Sequence, residues 1–226
     1  TYSDVQGGYA GTGNLDVNPQ FVAPGSSDFH LQLTSPAIDR CLSGRSPDFD
    51  AERRPIVQHT AASPYDMGAD EASLPRVGLN GASCAYGTVQ QAVNAATDGD
   101  IIQIASGVYF EHVSVQNKDI TLVGGYDSTC AAAGTDPTRI EGSVGTGSTL
   151  AVNNGTVTLR DLELTWGSET GGGLLAGTDA SVTLDHTTVH NNHGTYGGGI
   201  YVNTGSAVTL TNDSDVINNT ATIYGG

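Results

Sequence analysis

Between Gly171 and Gly226 the chain writes one pattern twice and begins it a third time. Gly171-Gly172-Gly173-Leu174-Leu175 leads to Ser181-Val182-Thr183-Leu184 and then to Val189-His190-Asn191-Asn192. Gly197-Gly198-Gly199-Ile200-Tyr201 leads to Ala207-Val208-Thr209-Leu210 and then to Val216-Ile217-Asn218-Asn219, and Gly225-Gly226 opens the next copy. Successive glycine runs lie 26 and then 28 residues apart. A repeat of that size is one supersecondary unit, and it buries its apolar side only by stacking on its neighbours.

The internal period of the repeat says what the unit is. Val182/Leu184 and Val208/Leu210 alternate with threonine, the period-two signature of a strand with one buried face. The strands are short and bounded by Gly, Asn, Asp or Thr, and the repeat carries no helical period and no leucine-rich or ankyrin pattern. Three short strands per turn of a parallel β-helix is the fit that remains. Asn191-Asn192 recurring as Asn218-Asn219 suits it, because stacked turn asparagines hydrogen-bond from one turn to the next. The competing reading is a β-sandwich in which Asn-Asn merely fills a turn.

Upstream of the repeat, Thr88-Val89-Gln90-Gln91-Ala92-Val93-Asn94-Ala95-Ala96 is the one helix the sequence predicts, within 86–98. Thr88 and Gln91 form a capping box, Val89, Ala92, Val93 and Ala96 share a face, and Gly99 follows. Ile101–Ile104, Val113–Val115 and Ile120–Val123 then read as successive strands. Aligning Ile120/Leu122, Val157/Leu159, Val182/Leu184 and Val208/Leu210 predicts one apolar stripe running through coils 101–226. The helix would cover its first turn, which otherwise leaves apolar side chains and strand edges in water.

Residues 1 to 71 are organised differently. Tyr2–Gly8, Gly13–Val22, Asp28–Asp39, Asp48–Pro55 and Tyr65–Glu71 are short strand-like runs between Pro and Gly turns, with carboxylates bunched beside Arg53 and Arg54. Residues 72–83 show no period and read as a linker. The alternating carboxylates Asp48 and Asp50 fit two accounts. One is a calcium site, although the glycine and distal glutamate of an EF-hand loop are missing. The other is a lock between carboxylates and arginines.

The order of those five motifs resembles the terminal portion of bacterial secreted and surface proteins of the right-handed parallel β-helix class, choice-of-anchor type, in which such a block caps the last coils. The resemblance implies that Asp50, Arg53, Arg54, Asp66 and Glu71 lock the cap. Residues 84–226 in turn resemble the amino-terminal start of pectate-lyase-like β-helices, through Gly99-Asp100-Ile101-Ile102-Gln103-Ile104, Gly107-Val108-Tyr109-Phe110-Glu111 and Ile120–Tyr126. The fold expected is therefore all-β: the carboxy-terminal cap of one β-helix, a linker, and the truncated amino-terminal part of a second right-handed solenoid with a short capping helix. The chain reads as a segment of a longer polypeptide.

Cys84 precedes the predicted helix and Cys130 follows Gly124-Gly125-Tyr126. A bond between them would tie helix to first coil, close about 47 residues and contribute roughly 4 kcal/mol; the alternative is free thiols. Such a bond points outside the cytoplasm. Cys41 is left without a mate in view.

Charge limits the partners. With 24 acidic against eight basic residues and a formal charge of −16, the chain lacks the basic footprint that nucleic acid or an anionic membrane requires. No apolar run is long enough for a membrane-spanning helix. His186, His190 and His193, with Asp185 beside them, are the densest imidazole group, but they do not form the His-Glu-x-x-His helix of a zinc hydrolase and read as turn histidines. Asp161 and Glu163 on one strand face, with Asp185 one coil above, would make a carboxylate patch. Glycoside hydrolases and lyases need more than this, and no signature of either is present. The expectation leans to a non-catalytic extracellular or cell-surface rod or adhesin without a cofactor, able to stack end to end or on matrix components. The alternative is a polysaccharide-binding or polysaccharide-cleaving module. Trp166, Tyr196, Tyr201 and Tyr224 are its candidate stacking faces, with Tyr196 and Tyr224 also placed to stack on each other.

Overall fold

The computed structural model describes residues 3–26, 28–31, 35–37, 76–134, 137–143 and 145–225. The chain divides into two compact units, Thr1–Leu74 and Pro75–Gly226. Asp48, Asp50, Arg53, Arg54, Asp66 and Glu71, the expected calcium and cap-lock residues, and Cys41 lie outside the described residues.

In the first unit β1 (Phe21–Ala23) pairs antiparallel with β2 (Asp28–Leu31) around a 3-10 turn at Pro24–Ser26. Before it, Val5 and Leu15 exchange a backbone bond, and the Asp4 and Asp16 carboxylates accept from the amides of Val17 and Gly7. These are side-chain-stapled turns, the default where a chain is rich in Asp, Asn and Gly.

The second unit is built of parallel sheets. It opens with β3 (Val77–Leu79) and α1 (Val89–Ala95), after which the chain makes five passes, here called tiers. The first tier holds β4 (Ile101–Ala105), β5 (Gly107–Tyr109) and β6 (Val113–Gln116). The second holds β7 (Ile120–Tyr126), β8 (Thr138–Glu141) and β9 (Leu150–Asn153). The third holds β10 (Gly155–Arg160), β11 (Leu162–Thr165) and β12 (Leu174–Ala176). The fourth holds β13 (Ala180–Asp185), β14 (Thr188–His190), β15 (His193–Tyr196) and β16 (Ile200–Val202). The fifth holds β17 (Ala207–Thr211), β18 (Asp215–Ile217) and β19 (Thr220–Tyr224).

The sheets run in tier order: β4-β7-β10-β13-β17, with β3 added at the β4 edge, and β5-β8-β11-β14-β18 take a strand from every tier, β6-β9-β12-β16 from the first four, and β15-β19 from the last two. Register follows the apolar alternation. Ile120, Val157, Val182 and Val208 align, as do Leu122, Leu159, Leu184 and Leu210. Leu150, Leu174 and Ile200 form the matching column of the third sheet. Through the first four tiers these side chains form one buried cluster, with half-buried Ile200 packed against it; a one-residue slip would turn every one of them to water, so the register is strongly specified.

Two devices fix the spacing between tiers. Asn192 is buried; its amide nitrogen donates to the carbonyls of Leu164 and His190 and to Asn219 Oδ1, while its own Oδ1 accepts from the Gly167 amide. The glycine runs are the second device. Gly172 N–H donates to Gly197 O and Gly198 N–H to Gly225 O, and a Cβ on Gly172 would run into the Gly198 carbonyl. Only glycine permits backbones to approach so closely.

The first tier is covered. α1 packs against β3, β4 and β6, with Val89, Ala92 and Val93 in the core. Thr88 Oγ1 caps the helix by accepting from the Gln91 amide, and Gln91 Oε1 accepts from Gly87. The helix is shorter than the expected 86–98, since Asp100 Oδ2 accepts from the Thr97 amide and turns the chain beyond it. Both helix ends are also held from the tiers. The Glu111 carboxylate accepts from the amides of Val89 and Gln90, and Lys118 Nζ donates to the carbonyls of Val93, Asn94 and Ala96. Burial pushes the Glu111 carboxyl up, against the two amide bonds.

Within the stretch expected to be a linker, Val77–Leu79 is a strand, antiparallel to β4 in the register Val77↔Ile104, Leu79↔Ile102. The Cys84–Cys130 disulfide joins this opening segment to the loop after β7, with Cα atoms 5.2 Å apart. No helix among the described residues is long and apolar enough to cross a membrane.

Candidate functional site

The outward face of the second sheet carries the densest set of interacting polar side chains. Alternation sends Leu162 and Leu164 inward and Glu163 and Thr165 outward. Register then builds two outer columns across the tiers: Arg139, Glu163, Thr188, Asp215, and beside it Glu141, Thr165, His190, Ile217. Arg139 Nε donates to Glu163 Oε2 at 2.8 Å, and His190 Nε2 lies 3.6 Å from the same oxygen. The Asn191 amide nitrogen is 2.9 Å from His190 Nδ1. With the Asn191 side-chain amide as donor, Nδ1 is assigned as the acceptor, which leaves Nε2 as the ring nitrogen facing Glu163. Between Glu141 and His190, Thr165 is wholly buried, and its hydroxyl Oγ1 has no hydrogen-bond partner.

At the corner next to this sheet lies a second set. Arg160 Nε donates to Asp185 Oδ2 at 2.8 Å, Asn212 Nδ2 donates to Asp185 Oδ1 at 2.6 Å, and His186 Nδ1 meets Asp161 Oδ1 at 2.6 Å. The Asn212 hydrogen bond and then Arg160 hold the Asp185 carboxyl below the usual carboxylate range. The bond to Asp161 lifts His186 above the ordinary imidazole value of 6.5. Asp161 is not on the strand with Glu163 but at the turn, with φ 54°. Each carboxylate of the expected patch thus has its own partner: Asp161 the His186 imidazole, Glu163 the Arg139 guanidinium, and Asp185 the Arg160 guanidinium.

The three histidines do not converge. His186 bonds Asp161, His190 faces Glu163 and Asn191, and His193 Nδ1 lies 2.8 Å from Thr220 Oγ1. No group of three or more His, Cys, Asp or Glu side chains among the described residues is placed to hold a metal ion.

The aromatic candidates occupy different places. Tyr196 and Tyr224 close β15 and β19 and stack with ring centroids 6.0 Å apart. Tyr201 is half-buried on β16, in register with Leu175. Trp166 directly follows β11 and is 56% exposed. Its φ is 58°, and the residues at the same corner in the next two tiers are Asn191 at 55° and Asn218 at 54°. Asparagine tolerates the left-handed region; a bulky residue held there costs on the order of 1–3 kcal/mol.

No family model, curated protein or solved structure matches the chain. The functional reading rests on the geometry of the chain's own residues.

The sequence singled out Trp166, the tyrosines and the histidines, but not the Arg139–Glu163–His190 link or Thr165. Register neighbours among them and the contacts they make from one tier to the next are 24 to 27 positions apart. Only the tier register brings them together, so the signal was the period-two alternation extended to the polar positions.

Proposed function

We propose that Pro75–Gly226 is a right-handed parallel β-helix and that residues 1–71 are the carboxy-terminal cap of a preceding one. On this reading the protein is a non-catalytic structural or adhesive element outside the cell, able to associate end to end or with other surface and matrix components. The observation that carries it is the residue-for-residue register of Val157, Val182 and Val208 with Ile120, which makes each tier a template for the next. The Cys84–Cys130 bond supports an oxidising compartment. The pairing of Glu163 and Asp185 with arginines and of Asp161 with His186 argues against a free acid and base for glycoside hydrolysis. An unpaired parallel strand edge is the kind of surface through which copies would associate.

Sedimentation velocity over a hundredfold concentration range, with electron microscopy of the same samples, tests this. Concentration-dependent elongated species are expected. Release of reducing ends or unsaturated sugars from polysaccharides would overturn the non-catalytic reading. Calcium belongs to this reading only at Asp48 and Asp50, and titration calorimetry against an EDTA-stripped sample decides it.

A second reading, polysaccharide binding, is favoured by one observation: Trp166 and Tyr224 present large aromatic faces to solvent, the latter 73% exposed. A glycan array reads it directly.

A further inference from the structure

We propose that the outer face of β8, β11 and β14 is a binding site for a neutral saccharide, formed by Trp166, Thr165, Glu163, Arg139 and His190. The inference rests on the polysaccharide-binding reading and locates its site.

Three independent features converge on this face. First, Trp166 holds a left-handed backbone where the following two tiers use asparagine, and its indole, being mostly exposed, recovers little by packing. A strained and exposed aromatic residue is a reason to look for a ligand, since folding alone is better served by asparagine. Second, the Thr165 hydroxyl immediately before it is buried without a partner, a vacancy that structures rarely tolerate. It lies in register between Glu141 and His190, both half-buried, so a ligand reaches it only when one of those side chains shifts. Third, the Arg139 guanidinium and the His190 imidazole both approach Glu163 Oε2, which leaves Oε1 as the acceptor on offer beside the Arg139 donors.

The chemistry selects the ligand class. A pyranose ring presents C–H groups to an indole face, and hydroxyls that both donate and accept. Thr165 both donates and accepts, Glu163 accepts, and Arg139 and the His190 Nε2–H donate. Arg139 is already matched by Glu163, and the protein is strongly acidic. That balance favours an uncharged sugar over a polyanionic one.

The test uses the whole chain with cellohexaose, xylohexaose and chitohexaose as probes in titration calorimetry. Wild-type protein is expected to bind at least one of the three. Trp166→Asn and Thr165→Val are each expected to weaken that binding about tenfold or more, the scale of one lost stacking or buried polar contact. Trp166→Asn installs the residue used in the next two tiers, so its thermal midpoint should stay the same or rise. A fall in midpoint would make the indole a structural support and overturn the site. Binding that survives both substitutions but is lost in Tyr196→Ala or Tyr224→Ala overturns this site and leaves the polysaccharide reading standing. Binding to none of the probes by wild-type protein at millimolar concentration overturns the site, while the array judges the wider reading separately.

Discussion

The third and fourth tiers and the fifth are written in the same residues, yet they live in different surroundings. Leu184 is 0% exposed, whereas its register partner Leu210 is 45% exposed; Val189 is buried, while Val216 and Ile217 are not. Backbone pairing is the same in both places. The difference is the tier laid on top, so in this architecture burial is conferred by the neighbour rather than carried by the repeat itself. At the opposite end the neighbour is α1, which does for the first tier what a further tier does for the others.

That contrast is sharpest under charge insertion. Leu184→Asp puts an unpaired carboxylate into the core and is expected to cost more than about 5 kcal/mol, enough to abolish the cooperative transition followed by circular dichroism. Leu210→Asp is expected to leave that transition in place. A cooperative melt at unchanged temperature for Leu184→Asp would break the comparison. Removing the Cys84–Cys130 bond loosens the covered end. The double change Cys84→Ser with Cys130→Ser is expected to cost up to about 4 kcal/mol and to lower the thermal midpoint by roughly 10 °C.

Asparagine gives the next pair. Asn192→Ala orphans the Gly167 amide and two carbonyl partners inside the stack and should cost about 2–3 kcal/mol in urea unfolding, against about 1 or less for Asn219→Ala. Equal costs would mean that coverage does not matter. Lys118→Met removes the ammonium that serves three carbonyls at the end of α1 and is expected to cost about 1–3 kcal/mol, with local hydrogen exchange in Val89–Ala95 speeding up first.

The smallest effect belongs to the exposed His186–Asp161 pair. Because the folded-state value of His186 is raised, its stabilisation is fully present below pH 6.5, the ordinary value, and is lost as pH rises through the folded value. An NMR titration should place His186 above 6.5 in the wild type and return it to the ordinary value in Asp161→Asn.

The sheets were legible because each strand's alternation repeats at nearly constant spacing. Val157, Val182 and Val208 could be aligned by eye, and the structure pairs them in that register. The disulfide was legible from two cysteines bracketing the first tier. What stayed hidden depended on tertiary contact. Val77–Leu79 is three residues with a central glycine, too short for any period, and is a strand because β4 offers it an edge. Asp161 looked like a strand residue beside Glu163, but it is the left-handed corner between β10 and β11. The polar face around Glu163 needs three tiers in register before its members meet.

Glu111 and Lys118 both reach α1 from the connections on either side of β6, one gripping each terminus. The lid is therefore fastened by the floor beneath it, and prying it loose would strand a buried carboxyl group and an ammonium at once.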